Sequence, residues 1–318
     1  MATQSKDVNF FPNLPPYSHP KTGFVSQLPS SWIPYAQLMR IDRPAGIYAV
    51  YLPYLIGIIY AACISLITPQ PSAVATLVLI LFPFNVLVRG IACTWNDNVD
   101  QQFDRRVERC RHRPIARGAV STTQANIFTV AQIVLIYPFA TFLLPSACKS
   151  HIATTIALFL VYALMKRVTY YPQVVLGISF AWAIFVCVAA LGIEPFHGDH
   201  VVSTLSLFAA NVLWTIIYDT IYAHQDIAYD EQAGVKSMAL AFRNSTKILA
   251  SFLAAGQVGL LALCGMRAGF GAGYFVGTVG GVAVTMAYYI YDFRDQFRIV
   301  GAAFLTGLLG EYLRKAWA

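Results

Sequence analysis

Long apolar runs, separated by short basic or Pro- and Gly-containing loops, occupy most of the chain from residue 45 onward. They predict helices near residues 45–67, 73–95, 123–144, 151–165, 172–193, 201–224, 246–265, 271–291 and 299–314. Uncharged runs of roughly 18 to 20 residues suffice to cross the hydrocarbon core of a bilayer. The expectation is therefore an all-α, multi-pass membrane protein of nine spans. Upstream, Trp32, Ile33, Tyr35, Leu38 and Met39 lie beside Arg40 and Arg43. That stretch reads either as a short helix in the membrane interface or as a flanking loop with aromatic anchors. Residues 1–30 hold clusters of Pro, Ser and Gly, no apolar signal segment and no Arg. They match neither a signal peptide nor a mitochondrial presequence and read as a disordered cytosolic tail. Residues 31–318 read as one transmembrane domain.

Composition strengthens the membrane reading. The 318-residue chain is 57% hydrophobic and 12% charged, with a mean hydropathy of +0.58, where soluble domains carry about 25% charged residues. The net charge of +7 does not point to nucleic acid, because the basic residues sit between apolar spans rather than along one polar surface. Seventeen of the 22 Lys and Arg residues fall in the N-terminal region or in the loops after spans two, four, six and eight. By the positive-inside rule that side faces the cytosol. The six cysteines are scattered, without metal or redox spacing, and read as small buried hydrophobes.

Two acidic clusters then change the picture. Asn96, Asp97, Asp100 and Asp104 end span two. If the helix continues through them, Asn96, Asp100 and Asp104 are successive i, i+4 neighbours with Asp97 one turn from Asp100. Like charges so placed repel unless a cation joins them, and a hard divalent ion such as magnesium seeks carboxylate and amide oxygens with phosphates and water. Asp219, Asp226 and Asp230 end span six, at spacings of seven and four that keep them on one helical stripe. Ionisable residues within spans cost roughly 2.5 to 3.5 kcal/mol each on insertion scales and by default mark function. Both clusters lie on one side, which implies a central cavity between two helices where two metal ions clamp a diphosphate.

Cations complete the pattern. Arg105, Arg106, Arg109, Arg111, Arg113 and Arg117 follow the first cluster; Tyr162, Lys166 and Arg167 end span four; Lys236 follows the second cluster. Arg matches phosphate oxygens with a bidentate fork and Lys adds a point charge. Loop bias alone accounts for some of Arg105, Arg106 and Arg117, whereas Tyr162 and Lys166 share one face.

Taken together, the two acidic motifs, Arg109 with Arg113-Pro114, the Tyr162–Arg167 segment running on to Pro172-Gln173, and Gly234-Val235-Lys236-Ser237 resemble the UbiA-type intramembrane aromatic prenyltransferases over roughly residues 38–310. Within that family the chain looks most like the fungal meroterpenoid farnesyltransferases, relatives of the ubiquinone-pathway para-hydroxybenzoate polyprenyltransferases. The resemblance implies catalytic roles for Asp100, Asp104, Asp226 and Asp230. It implies magnesium binding by these four and Asn96, with Asp97 and Asp219 in support. It also implies diphosphate contacts from Arg109, Arg113, Tyr162, Lys166 and Lys236, and from Arg40 and Arg43. Met238 stands where many relatives have Thr, a departure that bears on subgroup.

The implied reaction moves a prenyl group, in this subgroup farnesyl, from its diphosphate to a ring carbon of an aromatic acceptor such as an orsellinic-acid-like polyketide. The tail without Arg favours an endoplasmic-reticulum-type membrane over a mitochondrial quinone enzyme. A cation-coupled transporter is the rival of another class, but it predicts acids near the midplane and broken helices. A CDP-alcohol phosphotransferase lacks its Asp-Gly-x-x-Ala-Arg signature here.

Overall fold

The computed structural model of the chain describes residue 13, residues 15–294 and residues 297–317. Among the described residues the regular structure is helical throughout. A short helix, α1 (Ile33–Leu38), leads in chain order to the bundle, which begins with α2 (Ala45–Ile64), α3 (Pro71–Asp104), α4 (Thr122–Pro138) and α5 (Cys148–Val168). There follow α6 (Pro172–Ala181), α7 (Ala183–Ala190), α8 (Val201–Ala223), α9 (Ile227–Ala233) and α10 (Met238–Ala241). The chain closes with α11 (Thr246–Ala268), α12 (Ala272–Tyr274), α13 (Gly281–Asp292) and α14 (Phe297–Ala316).

Eight helices among the described residues are long and apolar enough to cross a membrane, rather than the nine expected. The difference is α14. Every 18-residue window of it contains Glu311 and Arg314 together with Arg298 or Lys315, too many charges for a span judged by composition. Its charged end is instead tied down inside the protein. Glu311 is 2% exposed and pairs with Arg314 at 2.6 Å, and Lys315 donates to the Cys63 carbonyl at the end of α2.

Of the expected tail, residues 1–12 and 14 lie outside the described residues. Residues 15–30 pack on the bundle: the Phe24–Gln27 turn buries Val25, and Arg117 lies 3.8 Å over the Tyr17 ring. The short α1 exists as a helix, with Trp32 at its start 65% exposed, so the stretch is helical rather than a flanking loop.

Close helix contact is set by small residues. A Cβ on Gly57 of α2 would sit 3.0 Å from the Cys187 Cβ of α7; only glycine allows that approach. Consequently α7 is buried along its whole length. A one-residue interruption at Trp182 divides α6 from α7 within the span Pro172–Ala190, expected at 172–193.

The helix α3 is 34 residues long, about 50 Å at 1.5 Å per residue. That exceeds the ~30 Å hydrocarbon core, so its last turns, which carry the first acidic cluster, project beyond it. The following basic loop is folded rather than loose. Ile115 and Val120 join Leu38 of α1 and Ala125 of α4 in a small separate core. A capping box between Ser121 and Gln124 then starts α4.

Candidate active site

The decisive geometric question is whether the two acidic helix ends meet. They do, through the basic loop between α3 and α4. The Arg109 guanidinium forks onto Asp226, its Nε donating to Oδ1 at 3.2 Å and its Nη2 bonding Oδ2, while Nη1 donates to the Tyr222 hydroxyl at 3.2 Å. Next to it, Tyr229 donates to Glu108 at 3.0 Å. Four residues further along the loop, Arg113 donates from Nη1 to both Asp104 oxygens at 2.9 and 3.0 Å and lies 3.1 Å from Asp97. One loop thus grips both clusters.

The α5 end fills the space between them. Lys166 Nζ lies 3.4 Å from Asp100 Oδ2, and Arg167 lies 3.2 Å from Asp100 Oδ1. Lys166 also acts electrostatically on Asp219 and Asp230 of the second cluster, and Asp230 feels Asp100 across the gap. Tyr162 lies one turn before Lys166 on α5. From the N-terminal side Arg40 reaches Asp97 at 2.5 Å. Asp97 is fully buried, so two guanidiniums offset a charge that alone would be costly.

Burial works against a charged guanidinium, yet Asp97 and Asp104 hold Arg113 protonated well above the ordinary arginine range. The same contest, won by the hydrogen bond to Asp226, raises Arg109. Both are fixed cations in a partly dry setting, suited to a phosphate.

Not every expected residue converges. Arg43 is 55% exposed and pairs with Asp42 at 3.9 Å, facing an outer cavity. The Lys236 ammonium turns to the Val168 carbonyl at 3.4 Å and the Tyr170 ring at 5.6 Å; its backbone N–H bonds the Lys166 carbonyl at 3.0 Å. The second cluster does not follow one unbroken stripe either. A 3-10 turn at His224–Asp226 separates α8 from α9, which offsets Asp226 and Asp230 from the line of Asp219.

Two contributors, Gln173 and Arg89, had no role in the sequence reading, and Arg167, read there only as a cation ending span four, gains one. Arg167 shares Asp100 with Lys166 and bonds the Val99 carbonyl at 2.7 Å. Gln173, 3% exposed at the start of α6, accepts from Met238 N–H at 3.1 Å, tying the loop after Lys236 to α6. Arg89, buried within α3, donates to the carbonyls of Met39, Arg40 and Arg43 at 3.4, 2.8 and 3.2 Å. That brace holds Arg40 in its left-handed conformation, φ 57°, an uncommon state for a residue other than glycine. The signal available for Gln173 and Arg89 was their polarity inside apolar spans.

Residues 50–308 match the UbiA prenyltransferase family. The chain belongs to that family. Over 314 residues it is 41% identical to prenyltransferase ascA of Acremonium egyptiacum, covering 94% of this chain and 91% of that protein. It is 38% identical over 271 residues to the mitochondrial 4-hydroxybenzoate polyprenyltransferase of Saccharomyces cerevisiae, covering 85% and 69%. Identity to the DMOA farnesyltransferase nvfB of Aspergillus novofumigatus is 34% over 257 residues, covering 81% and 80%. In fold, it superposes on a UbiA homolog from Archaeoglobus fulgidus solved with DMAPP and Mg2+, with a TM-score of 0.64 and 18% identity, covering 88% of this chain and 99% of that one. This chain is accordingly an integral membrane prenyltransferase with the UbiA fold.

The acidic residues fit a hard divalent cation by donor type, since all offer oxygen. Asp97 Oδ2 and Asp100 Oδ1 are buried without a hydrogen-bond donor; Asp100 Oδ1 has Arg167 nearby but not aligned. As the side chains stand, no three His, Cys, Asp or Glu among the described residues close around a single point, because guanidiniums and Lys166 occupy the carboxylates.

Proposed function

We propose that this prenyltransferase moves a farnesyl group from farnesyl diphosphate to a ring carbon of an orsellinic-acid-like aromatic acid in fungal meroterpenoid biosynthesis. The observation that carries the reading is the Arg109 fork on Asp226, which brings a phosphate-suited loop and both acidic helix ends to one place. Magnesium would be held by Asn96, Asp100, Asp104, Asp226 and Asp230, with Asp97 and Asp219 in support, and would supply charge neutralisation on the leaving diphosphate. The chain's own part is electrostatic. Arg109, Arg113, Lys166 and, by its phenol, Tyr162 bind and orient the diphosphate oxygens; Arg40, Arg43 and Lys236 are proposed to add to this set. The allylic C–O bond breaks with its electron pair going to diphosphate, the ring carbon's π electrons form the new C–C bond, and the ring proton leaves last. Fixed donors that need not reorganise should carry most of the acceleration.

The active face is proposed to front the cytosol on an endoplasmic-reticulum-type membrane; the basic loops of the even side support the cytosolic orientation. A second reading is a 4-hydroxybenzoate polyprenyltransferase, which the identity to the yeast relative favours. Membranes bearing the protein, incubated with a panel of phenolic acids and prenyl diphosphates of different length, separate the two by product mass. Farnesylated polyketide acid is expected; long-chain product on 4-hydroxybenzoate only would select the second. Chelation should stop turnover and magnesium restore it.

A further inference from the structure

A second cavity, of about 300 Å³, opens where three spans end on the side of the second acidic cluster. His224 follows the last residue of α8, Thr246 and Lys247 begin α11, and Phe293 follows the last residue of α13. Arg243 and Asn244 enter from the turn before α11, and no Asp or Glu lines the space. The walls are fixed by contacts of their own. His224 Nε2 bonds the Thr246 hydroxyl at 2.8 Å, and that hydroxyl donates to the Phe242 carbonyl at 2.8 Å. The Phe293 ring packs edge-on against His224 at 5.0 Å, with the Lys247 ammonium 5.3 Å from its centre. Phe293 places that ring from a left-handed backbone, φ 55°, an outlier for a bulky residue.

We infer that this cavity binds the phosphate of an anionic glycerophospholipid from the surrounding bilayer, held by Arg243 and Lys247. Charge is the first reason. Arg243 gives Nη2 to Glu231 at 2.5 Å, and Lys247 gives Nζ to the Tyr291 carbonyl at 3.0 Å; a guanidinium has five donors and an ammonium three, so both keep donors for an anion. Two cations with no carboxylate on the wall suit phosphate oxygens and repel a metal ion. Position is the second. Ile248 lines the cavity and lies one turn from Phe252 on α11, and both are exposed, as is Tyr291 on α13. That apolar face is where the acyl chains of a lipid would run once its phosphate sits between the helix ends, the setting in which basic pockets take anionic headgroups. Size is the third. The volume lies at the low end of small-molecule sites, roughly 300–1,000 Å³, which leaves room beside a phosphate for a polyol bonded by Asn244 and Ser245. A choline headgroup would bring a third cation to Arg243 and Lys247. None of the residues proposed to hold magnesium or diphosphate lines the space. Arg243 also holds Glu231 of α9, the helix that carries Asp230, so one ion pair ties the site to the second cluster.

The test uses the full chain in detergent micelles and three probes, dioleoyl phosphatidylinositol, dioleoyl phosphatidylcholine and inorganic phosphate, with bound lipid counted by native mass spectrometry. Wild type should retain one phosphatidylinositol, preferred over phosphatidylcholine about tenfold or more. Arg243→Gln combined with Lys247→Gln should weaken that binding about 30-fold, the loss expected when two basic side chains near a lipid surface are neutralised, and change phosphatidylcholine less than threefold. Asn244→Asp, at an exposed position, puts a carboxylate into the cavity and should weaken phosphatidylinositol about fivefold; it decides the matter if the first variant unfolds at a lower temperature. Lys149→Gln combined with Arg267→Gln, exposed at the opposite ends of α5 and α11, changes bulk charge alone and should alter binding less than threefold. Equal binding of the two lipids, a folded cavity variant that binds like wild type, or an equal loss in the opposite-end pair would overturn the inference. Displacement of phosphatidylinositol by millimolar inorganic phosphate would assign the cavity to free phosphate and overturn the lipid. No arm consumes prenyl diphosphate, so the proposed function and this inference fail separately.

Discussion

The contact that joins the two acidic helix ends can be measured apart from catalysis. Substituting Arg109→Gln, Asp226→Asn and both together removes the fork one side at a time and then whole. Each charge-assisted hydrogen bond is worth about 1.5–3 kcal/mol when well shielded. The Arg109 side chain is 33% exposed and that of Asp226 14%, so water screens part of this and a coupling of about 2 kcal/mol is expected. At about 1.4 kcal/mol per tenfold that is roughly a 30-fold change in an opening equilibrium. Amide hydrogen exchange over residues 105–117 in the ligand-free protein reads it directly. Each single variant should speed exchange there by about 30-fold, and the double variant should be little faster than either single. The Glu108 to Tyr229 bond survives in all three, which keeps the loop from detaching altogether. If exchange in the loop stays within threefold of wild type, or if the two single effects multiply in the double, Arg109 and Asp226 do not hold the helix ends together.

Other consequences are equally direct. Asp100→Asn removes a charge met by Lys166 and Arg167 without changing shape, and should lower kcat/KM by 10³ or more while the protein stays folded and inserted; near-normal turnover would refute the two-cluster clamp. Arg89→Met leaves the Met39 and Arg43 carbonyls without a donor, the Arg40 carbonyl keeping the Arg43 N–H, and should destabilise by about 2 kcal/mol, visible as a lowered unfolding temperature and a raised KM for prenyl diphosphate through misplaced Arg40. Gly46→Ala should act the same way more mildly, because a Cβ there would meet the Arg89 guanidinium, whose Cζ lies 3.1 Å away.

What the sequence could and could not disclose follows from which forces act locally. Helical runs such as 246–265, found at Thr246–Ala268, depend on uninterrupted apolarity, which is written along the chain. The acidic run from Asn96 to Asp104 proved helical for the same reason: nothing in it breaks a helix, and α3 simply continues. The break at Trp182 and the 3-10 turn at His224–Asp226 follow no Gly or Pro at either point, so they are choices of tertiary packing. Side-chain direction was equally hidden. Arg40 and Arg43 are three residues apart, yet the left-handed turn that Arg89 holds at Arg40 sends one to Asp97 and the other to the outer cavity.

The arrangement of charge also says where the site is least self-sufficient. Asp97, Asp100, Asp104 and Asp226 each have a guanidinium or ammonium within 3.5 Å, so the first cluster is largely neutralised by the chain itself. Asp219 and Asp230 have no such short ion pair among the described residues, and Lys166 is the cation that acts on both as well as on Asp100. Removing one partner of a shielded charge set costs more than the pair was worth, because the others are left uncompensated. Lys166 therefore carries the balance between the two clusters, where an arginine at the rim balances only one. A neutral residue of similar bulk at this position would leave Asp100 to Arg167 alone and take from Asp219 the cation that acts on it, whereas the same change at Arg40 leaves Asp97 still held by Arg113.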